Sequence, residues 1–262
     1  MVESIGRVVL NALAETKGVI RLFFETLYWI VVGPFKKRAV SLEHVASQAV
    51  FGGVNSILIV FFVCFAMGMV LAMQSAYQLE SFGALNMVAA LVAVSMAREI
   101  GPVLGSLVIA GRVGAAITAE ISTMKVTEQV EALETLALDP VRYLVAPRFL
   151  SLLVMLPCLI MIGDIAGILG GYTVGTLALG IRGGLYLEVS FDALMAKDIF
   201  SGLFKSAIFS MIITLISCYQ GLNTRGGAEG VGRATTVAVV LSFIFIILAD
   251  AVLTFLFYFT GS

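Results

Sequence analysis

Five charged residues sit deep in apolar runs that should carry none, a sixth, Arg112, falling nearer the end of its run. Arg98 and Glu99 fall in the second long apolar run of the chain, Asp164 in the third, Lys205 in the fourth and Asp250 in the fifth. A charge at mid-membrane costs at least ~2.5–3.5 kcal/mol on insertion scales, so such groups face one another or a wet cavity. Two bases and three acids largely neutralise one another. Two readings stay open at this point: structural ion pairs that fix helix register, or the polar lining of a cavity for a ligand with a charged headgroup. Enzyme chemistry has little to stand on. The single histidine, His44, lies beside Glu43 in a polar segment, where a surface role is the ordinary one. There is no HExxH, no GxSxG and no GxxxxGK[ST] phosphate loop, and no glycine is followed by lysine anywhere. The glycines of GGAEGVG follow an apolar helix rather than a strand and read as a flexible or tight loop. If ATP powers this protein, a separate subunit binds it. No metal site is expected, because Cys64, Cys158 and Cys218 are widely separated within apolar runs and read as buried thiols.

The elements that carry these charges follow from composition. Of 262 residues, 60% are hydrophobic and only 13% charged, about half the charged share of a soluble domain. A bilayer core needs about 20 apolar residues per helical crossing, and five runs qualify: roughly 49–79, 84–119, 149–181, 199–221 and 234–258. The fold class is therefore all-α and polytopic. Net charge is −1, which gives no basis for nucleic-acid binding. The opening MVESIGR lacks the pattern of a cleaved signal peptide.

Residues 1–38 read as an N-terminal interfacial helix, ahead of a transmembrane domain at 39–262. Ile5, Val9, Ala12, Val19, Phe23, Leu27 and Ile30 recur at helical spacing, and Glu3, Arg7, Glu15, Lys17 and Arg21 interrupt them. Tyr28 and Trp29 suit the headgroup level. A short first span at 19–32 is the alternative. Gly33-Pro34 then breaks the helix, and Lys36-Lys37-Arg38 follows.

In the first span Gly68, Ala72 and Ala76 form a small-residue face. In the third, Gly163, Gly167, Gly171 and Gly175 form an extended GxxxG stripe, thickened by Gly170, which predicts close helix packing. The second run is too long for one perpendicular crossing. It tilts, breaks at Gly101-Pro102, or projects beyond the bilayer. Lysine and arginine placement puts the N-terminus, the 125–148 connection and the 222–233 loop on the cytoplasmic side, and the C-terminus outside. Residues 182–198 have room for a short surface helix.

Between the second and third runs lies Thr127–Leu138. Val126, Val130, Leu133 and Ala137 share one helical face, and Glu128, Gln129, Glu131, Glu134 and Thr135 fill much of the rest. Thr127 is placed to cap this helix, Glu128 suits its first turn, and Asp139-Pro140 is placed to stop it. A solvated connecting helix is the plain reading. An apolar face between two spans also suits a partner or the membrane surface.

Several blocks carry a resemblance. EIGPVL at 99–104, AGRVGAAITAE at 110–120, TMKVTEQVEAL at 123–133, DPVRYLVAPR at 139–148 and GGAEGVGRATT at 226–236 together resemble the MlaE/YrbE permease family. The resemblance covers nearly the whole chain. It implies the membrane subunit of an ABC transporter, working as a homodimer in the bacterial inner membrane and moving phospholipid between inner and outer membranes. It implies two ATPase subunits that hold the ATP and magnesium, a periplasmic hexamer of MCE-domain subunits and a small STAS-domain subunit, with no cofactor on this chain. On that reading Thr127, Glu128, Val130, Glu131, Leu133 and Glu134 belong to a coupling helix received by the ATPase. A lipid cavity at the dimer interface takes Leu71, Gln74, Ser75, Tyr77 and Gln78, with Arg98, Glu99, Lys205 and Asp250 as its polar elements. Other cargoes within the family, such as sterols or fatty acids, are an alternative. So is an ion-gradient carrier built on Glu99, Asp164, Lys205 and Asp250, and so is a structural anchor for a periplasmic complex.

Overall fold

Apolar runs of this length cannot leave backbone N–H and C=O groups unpaired in lipid, so helix is the only solution open to an unclosed chain. The computed structural model describes residues 2–33 and 40–260, with side chains at 16–33 and 40–259. Helix α1 spans Val2–Val31. The five long apolar helices are α2 (Leu42–Glu80), α3 (Met87–Val126), α5 (Val141–Leu177), α7 (Ala196–Leu222) and α8 (Gly227–Thr260), each long and apolar enough to cross a membrane. Two short helices, α4 (Gln129–Thr135) and α6 (Gly183–Ala193), fill two of the connections. No strand occurs among the described residues.

The chain packs as two compact units. One comprises Met1–Ala49, Ala110–Leu152 and Met211–Ser242. The other comprises Val50–Ile109, Leu153–Ser210 and Phe243–Ser262. In the first, α1 docks through Leu22 and Thr26, both buried, and the Phe23 ring lies 6.4 Å from that of Phe149. Gly18 lies against the Tyr219 ring, where a Cβ would collide. The expected helix is thus present and packed on the protein through its second half. The side chains of Ile5, Val9, Ala12, Glu3, Arg7 and Glu15, and the Pro34 and Lys36-Lys37-Arg38 positions, lie outside the described residues.

In the second unit the small-residue faces meet. Val60, Cys64, Gly68, Ala72 and Ala76 are the buried positions of the α2 stretch 57–80. A Cβ on Gly68 would run into the backbone carbonyl of Gly167, and one on Gly170 into that of Phe65. The two backbones therefore pack directly, which substitutes for the hydrophobic drive that lipid removes. Gly163 meets Cys64 and Val60, and Gly167 also meets Met96. Gly171 and Gly175 accept the ring of Tyr186 from α6, a fully buried side chain 5.6 Å from Tyr172. Helix α6 is thus anchored by a core residue, and burial pushes the Tyr186 hydroxyl up to about 12.

Helix α3 rules out one of the three options for its length. It does not break at Gly101-Pro102. Its 40 residues rise about 60 Å, roughly twice the hydrocarbon thickness, so it extends beyond one perpendicular crossing. Two π-turns, Met96–Ile100 and Ala110–Gly114, widen it. The first ends two residues before Pro102, with the Gly101 N–H bonded to the Met96 carbonyl. Such a turn relieves the clash of the proline ring with the preceding turn. The 222–233 loop is shorter than expected. Only residues 223–226 lie outside helix, because α8 begins at Gly227, where positive φ at Gly226 (94°) and Gly227 (68°) makes the turn.

Candidate functional site

The π-turn at Met96–Ile100 sets two charged residues side by side in sequence and sends them to different partners. Glu99 meets Lys205 of α7, whose Nζ donates to Glu99 Oε2 at 2.5 Å and to Thr254 Oγ1 at 2.7 Å. Asp250 Oδ1 lies 2.9 Å from the same Nζ, an ion pair whose alignment falls outside hydrogen-bonding geometry. Thr254 Oγ1 lies 3.2 and 3.3 Å from the two Glu99 oxygens. The three protons of the ammonium thus have three oxygen neighbours. Lys205 is fully buried, whereas 38% of the Glu99 side chain stays open. Two carboxyl groups thus face one ammonium.

Arg98 does not join this cluster. Its guanidinium lies 3.5 Å from Asp198, at the start of α7, with 37% of the side chain exposed. Asp198 also caps its own helix by accepting from the Met195 N–H at 3.0 Å. Asp164 stands apart: its Oδ1 is buried against Gly101 with no hydrogen-bond partner among the described residues. Of the five intramembrane charges, the structure gathers Glu99, Lys205 and Asp250, and separates Arg98 and Asp164 from them. On α2, Ala72 and Ala76 turn inward, while Gln74, Tyr77 and Gln78 are exposed and Leu71 and Ser75 half-buried. None of these five side chains is hydrogen-bonded to the Lys205 cluster among the described residues.

The connection between α3 and α5 is built differently from the sequence expectation. The helical part is Gln129–Thr135, shorter than Thr127–Leu138. Thr127 does not cap it. The Thr127 hydroxyl donates back to the Thr123 carbonyl at 2.8 Å and closes α3 instead. Glu128 is not in the first turn. It sits ahead of α4 in the left-handed region, φ 60° and ψ 16°, and turns the chain. Asp139-Pro140 does not stop α4 either. Ala137 does so in the left-handed region (φ 57°), with Leu138 N–H bonded to the Leu133 carbonyl at 3.0 Å. Asp139 caps α5, accepting from the N–H groups of Val141 (2.8 Å) and Arg142 (3.3 Å).

The four-residue apolar face reduces accordingly. Val130 is buried and Leu133 half-buried, while Ala137 lies beyond the helix end and is exposed. Glu131 pairs with Lys125, and that hydrogen bond, with a backbone one, holds its carboxyl below the usual range. What faces outward is Glu128, Ala132, Glu134, Thr135 and Leu136, the last 70% exposed. The two ends of the connection are tied by Arg148, whose Nη2 lies 2.8 Å from Glu120 of α3 and whose Nη1 donates to the Leu144 carbonyl at 2.7 Å.

Residues 45–256 match the family model described as Permease MlaE. The chain belongs to the MlaE permease family. It is 44% identical over 245 residues to a probable ABC transporter permease protein of Rickettsia prowazekii (strain Madrid E), covering 94% of this chain and 93% of that protein. It is 40% identical over 204 residues to a probable ABC transporter permease protein of Synechocystis sp. (strain ATCC 27184 / PCC 6803 / Kazusa), covering 78% of each. A probable ABC transporter permease protein of Pyropia yezoensis is 36% identical over 244 residues, covering 93% of this chain and 91% of that protein. This MlaE-family chain is a multi-pass membrane permease. Sequence reasoning missed two of its polar partners. Thr254 was signalled by its place one helical turn after Asp250. Asp198 sits in a polar stretch between spans, where an acidic residue draws no notice.

Proposed function

We propose that this chain is the permease subunit of an ATP-driven ABC transporter that moves phospholipid between the inner and outer membranes. Family membership across residues 45–256 and relatives named as probable ABC transporter permeases support the transporter class. The observation that carries the cargo is the arrangement around the first π-turn. Arg98 and Glu99 are adjacent, partly open and of opposite sign, and each is anchored by a buried counter-ion, Asp198 and Lys205. A spare guanidinium edge beside an open carboxylate complements a headgroup that carries both phosphate and ammonium. Buried anchors keep those charges in place while lipid enters and leaves.

The subunit works as a homodimer. Only 11% of the most apolar window of α8 is buried within the chain, against 50% for α3 and α7, and the exposed α2 residues Gln74, Tyr77 and Gln78 also lack cover. A cavity closed by the second copy accounts for both. The outward surface of α4, centred on Glu134 and Leu136, is received by an ABC ATPase that supplies ATP and magnesium. An MCE-domain hexamer on the periplasmic side and a small STAS-domain subunit complete the assembly in the bacterial inner membrane. The N-terminus is cytoplasmic and the C-terminus periplasmic, so a C-terminal reporter active only in the periplasm reads positive. Phospholipid extracted from purified wild-type complex is expected at a stoichiometric level and to fall several-fold in Arg98→Ala. Equal lipid content in the two preparations excludes Arg98 as a headgroup contact.

A further inference from the structure

The starts of the first and third spans come together around Arg142, in a place that translocation and ATPase coupling leave unused. Spans alternate in direction, so α2 and α5 begin on the same face of the membrane, and their first turns share one interfacial level. There Val40, Ser41, His44, Leu138, Arg142, Tyr143 and Pro147 line a cleft of about 140 Å³. We propose that this cleft binds the phosphate of an anionic phospholipid resident at the membrane surface, whatever lipid the protein transports.

Four observations carry this. First, the Arg142 guanidinium pairs with no carboxylate among the described residues. Its neighbour Asp139 accepts two backbone N–H groups at Oδ1, at 2.8 and 3.3 Å, and Arg142 also lines a second cleft with Trp29, Glu134 and Asp139, pairing with neither carboxylate. A half-buried arginine without a counter-ion is a fork of donors suited to two phosphate oxygens. Second, Arg142 is held in place: its Cζ lies 5.8 Å from the centre of the Trp29 ring, which covers one face. Third, the His44 and Tyr143 rings meet edge to face at 5.0 Å, setting an imidazole and a phenol at the same rim, beside Ser41. Fourth, the opposite wall is Val40, Leu138 and Pro147. A free phosphate has no use for that wall, whereas the glycerol and first acyl carbons of a lipid do. The volume equals about four to five water molecules, room for one phosphate group. Basic pockets at the ends of spanning helices take lipid headgroups in this way, and Trp29 and Tyr143 are the aromatic types that favour this level.

The chain supplies its own reporter, because Trp29 is its single tryptophan. Full-length protein in detergent micelles is titrated with dihexanoyl phosphatidylglycerol, dihexanoyl phosphatidylcholine or inorganic phosphate while Trp29 emission is followed. Phosphatidylglycerol is expected to give a saturable change, with a midpoint about fivefold lower than phosphatidylcholine. Inorganic phosphate is expected to give none. Arg142→Gln is expected to raise the phosphatidylglycerol midpoint about tenfold. Coincident curves for wild type and Arg142→Gln, or equal midpoints for the two lipids, overturn the site. Saturation by inorganic phosphate alone overturns its assignment to lipid. If Arg142→Gln does not elute as a folded species, His44→Gln/Tyr143→Phe carries the test, and an unshifted midpoint there overturns the proposal.

Discussion

Lys205 is the residue that ties the intramembrane cluster together. It is fully buried, and its ammonium is the only positive charge between Glu99 and Asp250 in the cluster. Breaking a buried pair leaves an uncompensated charge, at a cost of ~3–5 kcal/mol, reduced here because Glu99 stays partly open. Lys205→Met is therefore expected to lower stability by about 2–3 kcal/mol, read as a fall of about 5 °C or more in the melting temperature of the detergent-solubilised protein. Adding Glu99→Gln and Asp250→Asn removes the two orphaned charges and is expected to restore most of the loss. A triple variant no more stable than Lys205→Met contradicts this account of the cluster. Glu131 behaves in the opposite way to a buried ion. Its partner Lys125 lowers its titration below the ordinary 4.5, so the pair's contribution is present above that value and is lost as pH falls through the lowered one. At neutral pH the pair is intact. The five intramembrane charges were legible in the sequence because lipid makes each one costly. Which of them meet was not, because partners such as Lys205 and Glu99 lie 106 positions apart.

At the scale of elements, α4 shows both what spacing reveals and what it hides. An acidic, partly apolar helix between the second and third spans was readable from composition. Its ends were not, because two non-glycine residues, Glu128 and Ala137, adopt left-handed backbone that no side chain advertises. The same holds for the two π-turns of α3, which leave no residue signature except Pro102 near one of them. The glycine stripe of α5 was legible because one feature, the missing Cβ, sets both the pattern and the packing. The corrected ends of α4 change which variants test coupling. Leu133 is half-buried and Glu131 is paired with Lys125, so substitutions there also disturb the chain's own packing. Glu134→Lys and Leu136→Asp change exposed side chains, of which Leu136 lines neither cleft described above. Together they are expected to reduce co-purification of the ATPase at least tenfold, at unchanged membrane insertion. Full retention of the ATPase by the double variant excludes α4 as the receiving surface.

At the scale of the whole molecule, five spans and an all-helical fold were legible because bilayer thickness and backbone pairing leave few alternatives. The poorly buried α8 was not, because an apolar run reads the same whether it packs on its own chain or on a second copy. The central claim is that ATP hydrolysis in a partner drives phospholipid past this permease. Its most direct test is a reconstitution of the purified complex in donor liposomes with a headgroup-labelled phospholipid, facing acceptor liposomes. The account predicts label transfer that requires ATP, is insensitive to dissipation of ion gradients, and falls at least tenfold with the Glu134→Lys/Leu136→Asp permease. Transfer that proceeds without ATP and collapses with the ion gradient would contradict it and favour a gradient-driven carrier.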